Sequence, residues 1–142
     1  MIRQVDFTCE FLEAIDPIVF SSKIYAYRVI ADQRDQHVQA FSDEDGPLFA
    51  WGIIELWAGV GDIWLVFDKR MAGFSQLREL FRLAKEGLQI VEKLGFVRAQ
   101  GQAKKDCGTE RIAQAFGFET ESVMKNYGLG GQGDYEMYRR IF

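Results

Sequence analysis

Apolar and polar side chains alternate along Ile2-Arg3-Gln4-Val5-Asp6-Phe7, the period of a short half-buried strand. Thr8 then offers a hydroxyl cap, and Phe11, Leu12 and Ile15 follow at helical spacing. A residue before proline is pushed away from the helical backbone, so Asp16-Pro17 ends that helix. Proline suits a first helical turn, and the pattern predicts a second helix from Pro17 to Asp32, with Phe20, Ile24, Tyr27 and Val29 as its apolar positions. Alternation returns at residues 36–42 and is closed by the turn cluster Ser42-Asp43-Glu44-Asp45-Gly46-Pro47. Two apolar, β-forming runs, Leu48 to Trp57 and Ile63 to Phe67, flank the glycine-bearing turn Ala58-Gly59-Val60-Gly61-Asp62. Residues 36–42, 47–57 and 62–67 are thereby predicted to form an antiparallel meander.

The strongest period belongs to the segment from Ser75 to Leu94. Leu77, Leu80, Phe81, Ala84, Leu88, Val91 and Leu94 recur at three- and four-residue steps, opposite Arg78, Glu79, Arg82, Lys85, Glu86 and Lys93. Gly95 matches a helix-ending glycine, and residues 96–100 read as the next strand. A helical crossover makes that strand parallel to residues 62–67. A short helix over residues 110–115 ends in Phe116-Gly117-Phe118, and the tail holds two strand-like pieces around the insert Gly128-Leu129-Gly130-Gly131-Gln132-Gly133. The order β-α-α-β-β-β-α-β-α-β is that of an α+β sheet protein with one central crossover.

Length and charge narrow this picture. The chain of 142 residues supports one hydrophobic core, so a single domain over 1–142 is expected. A lone histidine, His37, excludes a centre built from several imidazoles. Cys9 and Cys107 can form at most one disulfide and are expected to be unpaired, in a reducing compartment. The net charge of -4 leaves no basic footprint for nucleic acid, and Lys104-Lys105 and Arg139-Arg140 read as solvated strand ends. No apolar run reaches the ~20 residues of a membrane span, and the start lacks a basic-then-apolar signal pattern. A soluble protein, cytoplasmic or packaged in a virion, is expected. Aromatics reach 14%, and Trp51, Trp57 and Trp64 are expected in the core.

With its elements in place, the chain resembles the GNAT family, the acyl-coenzyme-A-dependent N-acyltransferases, over essentially its whole length. Two motifs carry the resemblance besides the element order. The strand Ile63 to Phe67 runs into a loop and a long amphipathic helix, where that family places a Gln/Arg-x-x-Gly-x-Gly/Ala pyrophosphate loop. Here the loop reads Arg70-Met71-Ala72-Gly73-Phe74-Ser75, which keeps the arginine and the central glycine but ends in serine. Phe116-Gly117-Phe118 is similar to the family's leucine-glycine-phenylalanine ending of a short helix. The resemblance implies a mixed, mostly antiparallel central sheet with flanking helices, and a V-shaped cofactor cleft opening at residues 65–75. Ile63-Trp64-Leu65-Val66, the divergent loop and Thr109-Glu110-Arg111 are in turn similar to small GNAT-like proteins of tailed bacteriophages, some of them internal virion components. That similarity implies a second reading: a noncatalytic phage protein, in the virion or bound to a host protein.

The chemistry expected of the loop has a physical basis. A helix N-terminus presents unpaired N–H groups and partial positive charge to a pyrophosphate. Gly73 permits close backbone approach, and Arg70 offers a bidentate phosphate donor. By resemblance, acetyl-CoA is the implied cofactor, contacted by Arg70, Met71, Ala72, Gly73, Phe74 and Ser75. The backbone of Leu65, Val66 and Phe67 supplies the implied oxyanion donors. An ordinary strand-to-helix connection capped by Ser75 is the alternative. The family's general-acid tyrosine, four residues before the Gly-Phe pair, is replaced by Ala113, which cannot donate a proton. Tyr127, Tyr135 and Tyr138 lie on or near the late strands and read as edge or core aromatics. For the base, Glu55 among Trp51, Leu56 and Trp57 is the first candidate, since a carboxylate among aromatics would be desolvated with its pKa raised, and a solvent-facing strand residue is the alternative; Asp62 is a second candidate, with an ordinary turn residue as its alternative. His37 reads as a surface residue, and Cys107 lacks a partner for nucleophilic work. The implied partners are acyl-CoA and an amine acceptor, with a virion or host protein in the second reading; segments 16–36 and 126–134, which would shape the acceptor pocket, carry no motif.

Overall fold

The computed structural model describes residues 1–18, 20–32, 36–73 and 77–142. Its strands are β1 (Arg3–Val5), β2 (Gln36–Asp43), β3 (Gly46–Trp57), β4 (Val60–Phe67), β5 (Arg98–Lys104), β6 (Glu119–Met124) and β7 (Tyr135–Ile141). Its helices are α1 (Cys9–Ala14), α2 (Phe20–Asp32), α3 (Leu77–Lys93) and α4 (Thr109–Ala115). The strands form one seven-stranded sheet in the order β1-β2-β3-β4-β5-β7-β6. Strands β4 and β5 pair in parallel, Val60–Asp62 against Arg98–Gln100, as the crossover requires. The late insertion of β7 between β5 and β6 is invisible to periodicity. The chain divides into two compact units, Met1–Ile54 with Ile63–Arg82, and Glu55–Asp62 with Leu83–Phe142.

In the first unit, Thr8 caps α1 by accepting a hydrogen bond from the Phe11 amide. Phe11, Leu12 and Ile15 pack with Ala26 and Val29 of α2 and with Ala40, Ala50, Ile54, Trp64 and Val66 of the sheet. Each large aliphatic side chain fully removed from water contributes about 1.5–3 kcal/mol, so this cluster anchors the unit. Two sequence expectations fail here. Helix α2 turns Ala26 and Val29 inward and leaves Tyr27 exposed. Pro17 does not open α2 but bridges to Asp68, because Ile18 N–H donates to Phe67 O (3.1 Å) and Lys69 N–H to Asp16 O (2.8 Å). On the opposite sheet face Phe41 stacks on Phe49 (4.8 Å), and Trp51 Nε1 donates to Gln39 Oε1 (3.1 Å).

The second unit is built on β5 and β7, antiparallel over their full lengths, with β6 outside them. Val91 of α3 and Ala99 of β5 are fully buried. Gly95 ends α3 at φ +95°, in the left-handed region its sequence position predicted. Strand β6 begins at Glu119, earlier than the loose alternation from Val123 suggests. Its side chains are mostly exposed, as befits an outer strand. The glycine insert before β7 is tightly folded: Tyr127 and Gly128 N–H both donate to Gly133 O. Trp57 is 65% exposed at the end of β3, against the expectation of burial. Cys9 and Cys107 are both unpaired and exposed. Among the described residues no helix is long and apolar enough to cross a membrane.

Candidate functional site

The chain leaves β4 through Asp68, a buried carboxylate that knits three segments together. Its Oδ2 accepts from the Asp16 amide (2.9 Å) and its Oδ1 from the Arg70 amide (2.9 Å). Its own N–H donates to Leu48 O (2.8 Å), and its carbonyl accepts from Met71 N–H (3.0 Å). An aspartate that accepts from the amide two residues on is a local turn-former, and here it starts a 3-10 turn over Lys69–Gly73. Residues expected to line an open phosphate cradle are thus partly in helical register. Lys69 pairs with Asp16 (2.5 Å), and that bond, with the charge behind it, raises the lysine pKa.

Arg70, the expected pyrophosphate donor, points its guanidinium at the turn between β2 and β3. Nη1 donates to Asp43 Oδ1 (3.1 Å) and Oδ2 (3.3 Å), and Nη2 to Gly46 O (2.9 Å) and Pro47 O (2.8 Å). Nε faces Asp68 Oδ1 at 3.6 Å. Burial by itself would raise the Asp43 carboxyl, but hydrogen bonds from the Asp45 amide and from Arg70 outweigh it and hold the group below its ordinary pKa. Leu65 is partly exposed, Val66 is fully buried, and Phe67 packs beside Phe49 (5.9 Å) with its carbonyl taken by Ile18. Met71 is half-buried; the backbone of Ala72 and Gly73 completes the 3-10 turn. Phe74 and Ser75 lie outside the described residues, as does the expected cap at Ser75.

The two carboxylates proposed from sequence belong to the second unit and have opposite environments. Glu55 is exposed, because β3 runs past its buried stretch at Ile54, as the solvent-facing alternative for this residue has it. Asp62 is 6% exposed, and its Oδ1 accepts from Gln102 Nε2 (3.1 Å). Gln102 also lies 3.7 Å from Met137 Sδ. Ala113 sits on α4, where the resemblance implied a tyrosine. Tyr138, buried on β7, donates to Glu136 Oε2 (2.7 Å); burial first, then that bond, raises its pKa well above the ordinary phenol value. Tyr127 is exposed, and its ring lies tilted against that of Tyr135 (5.6 Å). His37 differs from the surface expectation: it is half-buried, with its ring 5.7 Å from that of Trp51 and its buried Nε2 without a hydrogen-bond partner among the described residues. Sequence reasoning missed Asp68, Asp43 and Gln102. The Asp-x-Arg spacing of residues 68–70 was the one available signal, whereas Asp43 and Gln102 act across strands.

No protein-family profile matches this chain, and no curated protein matches it. Solved structures do. A candidate phosphinothricin N-acetyltransferase superposes with a TM-score of 0.75 at 14% identity, covering 100% of this chain and 99% of the other. An acetyltransferase of Bacillus subtilis in complex with CoA gives 0.73 at 12% identity, covering 99% and 97%. A GNAT family acetyltransferase of Elizabethkingia anophelis with acetyl-CoA bound gives 0.71 at 11%, covering 99% and 98%. At these identities the likeness concerns architecture: the chain has the fold of the GNAT acetyltransferases.

Proposed function

We propose that this chain binds acetyl-CoA and transfers the acetyl group to an amine. The observation that carries the reading is the full-length likeness to structures holding CoA and acetyl-CoA. The residues fit the cofactor in part. Amides of Arg70 and Met71 are already satisfied by Asp68, so among the described residues the pyrophosphate contacts fall to the backbone of Ala72 and Gly73 and to the start of α3. Acetyl-CoA supplies an acyl group activated as a thioester. Backbone N–H groups within Leu65–Phe67 would supply the oxyanion donors, and Asp62 would be the carboxylate that accepts a proton from the amine. Gln102 holds the Asp62 carboxylate in one orientation. The departing thiolate takes its proton from solvent, since Ala113 offers none; an alkyl thiol with a pKa of about 8.5 tolerates this.

A noncatalytic role, in a virion or on a host protein, is the second reading. It is favoured by the engagement of both Nη groups of Arg70, by Ala113 and by the exposure of Glu55. Thermal-shift titration with acetyl-CoA separates the two. A ligand at 100 times its dissociation constant adds about 2.7 kcal/mol to the native state. A shift with thioester consumption across an amine panel supports the enzyme; a shift without consumption leaves a binding module. No shift at millimolar cofactor sinks the proposal.

A further inference from the structure

We infer that Asp43 and Arg70 form a positioning pair, through which the β2–β3 turn holds the loop after β4 in shape for a pyrophosphate that Arg70 does not itself touch. The inference rests on the acetyl-CoA reading above. A guanidinium has five N–H donors in a fixed fork. At Arg70, Nη1 meets both oxygens of Asp43, Nη2 meets the carbonyls of Gly46 and Pro47, and Nε faces Asp68. Both Nη groups are thus engaged within the protein. Turning the fork toward a phosphate would strip charge and hydrogen bonds from the Asp43 side chain, which is only 12% exposed.

The anchor at the far end is itself rigid. Asp43 Oδ1 also accepts from the Asp45 amide (2.9 Å), and Gly46 adopts φ +120° at the turn's exit. At the near end Asp68 binds the Arg70 amide, so backbone and side chain of Arg70 are fixed from two sides. A residue pinned in this way sets where the next amides, those of Ala72 and Gly73, point. Groups that orient the direct contacts of a ligand are what such an arrangement supplies.

The test measures affinity for acetyl-CoA and for acetylpantetheine, which lacks the pyrophosphate, by calorimetry. The proteins are the wild type, Asp43→Ala, Arg70→Ala and the double variant. Each single substitution is expected to weaken acetyl-CoA by about tenfold, the size seen when an outer-shell partner is removed. Acetylpantetheine binding stays unchanged, and the double variant is no worse than either single one, since both break the same link. If Arg70 binds phosphate directly, Asp43→Ala frees the fork and leaves acetyl-CoA affinity unchanged or tighter, which overturns the inference. Equal weakening toward both ligands overturns it too, as a general loss of structure. Should Asp43→Ala fail to fold by circular dichroism, Asp43→Asn, which keeps one acceptor, is expected to shift the acetyl-CoA affinity alone by a smaller factor. A wild type that binds no acetyl-CoA removes the proposed function and this inference together. Wild-type binding that the Asp43 variants do not alter removes the inference alone.

Discussion

Gly52→Ala is a small substitution with a large expected effect. A Cβ built at Gly52 would lie 2.7–2.8 Å from Nε1, Cε2 and Cζ2 of the Trp64 indole, closer than carbon atoms pack. The indole cannot simply move aside. It is 5% exposed and wedged against Phe7, with ring centroids 5.3 Å apart. Overpacking a well-filled core costs about 1–3 kcal/mol. Against this, alanine is better than glycine inside a strand by roughly 0.5–1 kcal/mol. The net expectation is a loss of about 1–2 kcal/mol, or about 3–7 °C in melting temperature for a chain of this size. Urea denaturation of Gly52→Ala in the wild type and in a Trp64→Leu background forms the decisive cycle. With the indole gone the clash disappears and only the strand preference remains, so Gly52→Ala should become neutral or stabilising. An equal loss in both backgrounds would refute the steric account.

Other consequences can be checked separately. Asp62→Asn should lower kcat/KM by about 10²–10⁴ in an acetyl-transfer assay, without changing acetyl-CoA affinity, because a base is lost and a similar shape kept. Gly128→Ala would put a Cβ 1.7 Å from the Gln132 carbonyl oxygen, a backbone atom; the loop must open, and hydrogen exchange at Tyr127 and Gly128 should accelerate. Tyr138 tests alkaline linkage. Its pKa is raised in the folded chain, so above the unfolded value near 10 the unfolded chain releases its proton first. Stability is therefore intact below that pH and falls as pH rises through it; urea midpoints of Tyr138→Phe should show a flatter alkaline limb.

The local pattern of this sequence was enough for most elements. Thr8 capped α1, Gly95 ended α3, and the 3.6-residue period of residues 75–94 appeared as α3 over Leu77–Lys93. The parallel pairing of β4 with β5 followed from chain connectivity and handedness alone. These features depend on neighbours in sequence, so sequence reveals them. Asp68 shows the boundary: its spacing to Arg70 signals a turn, yet its bond to Asp16 joins residues that no local rule connects.

What only the tertiary structure decided was how each polar group is used. Arg70 read as a free phosphate donor until the fold placed Asp43 and two carbonyls around it. Glu55 and Asp62, two carboxylates on adjacent strands, were ranked by their flanking residues. The fold exposes the first and buries the second beside Gln102. Trp51 and Trp64 are buried while Trp57 is exposed, although all three sit in similar apolar runs. The physical reason is common to these cases. Secondary structure is set by local backbone preferences and side-chain period, whereas burial, partners and protonation depend on groups far apart in the chain that meet only once it has folded.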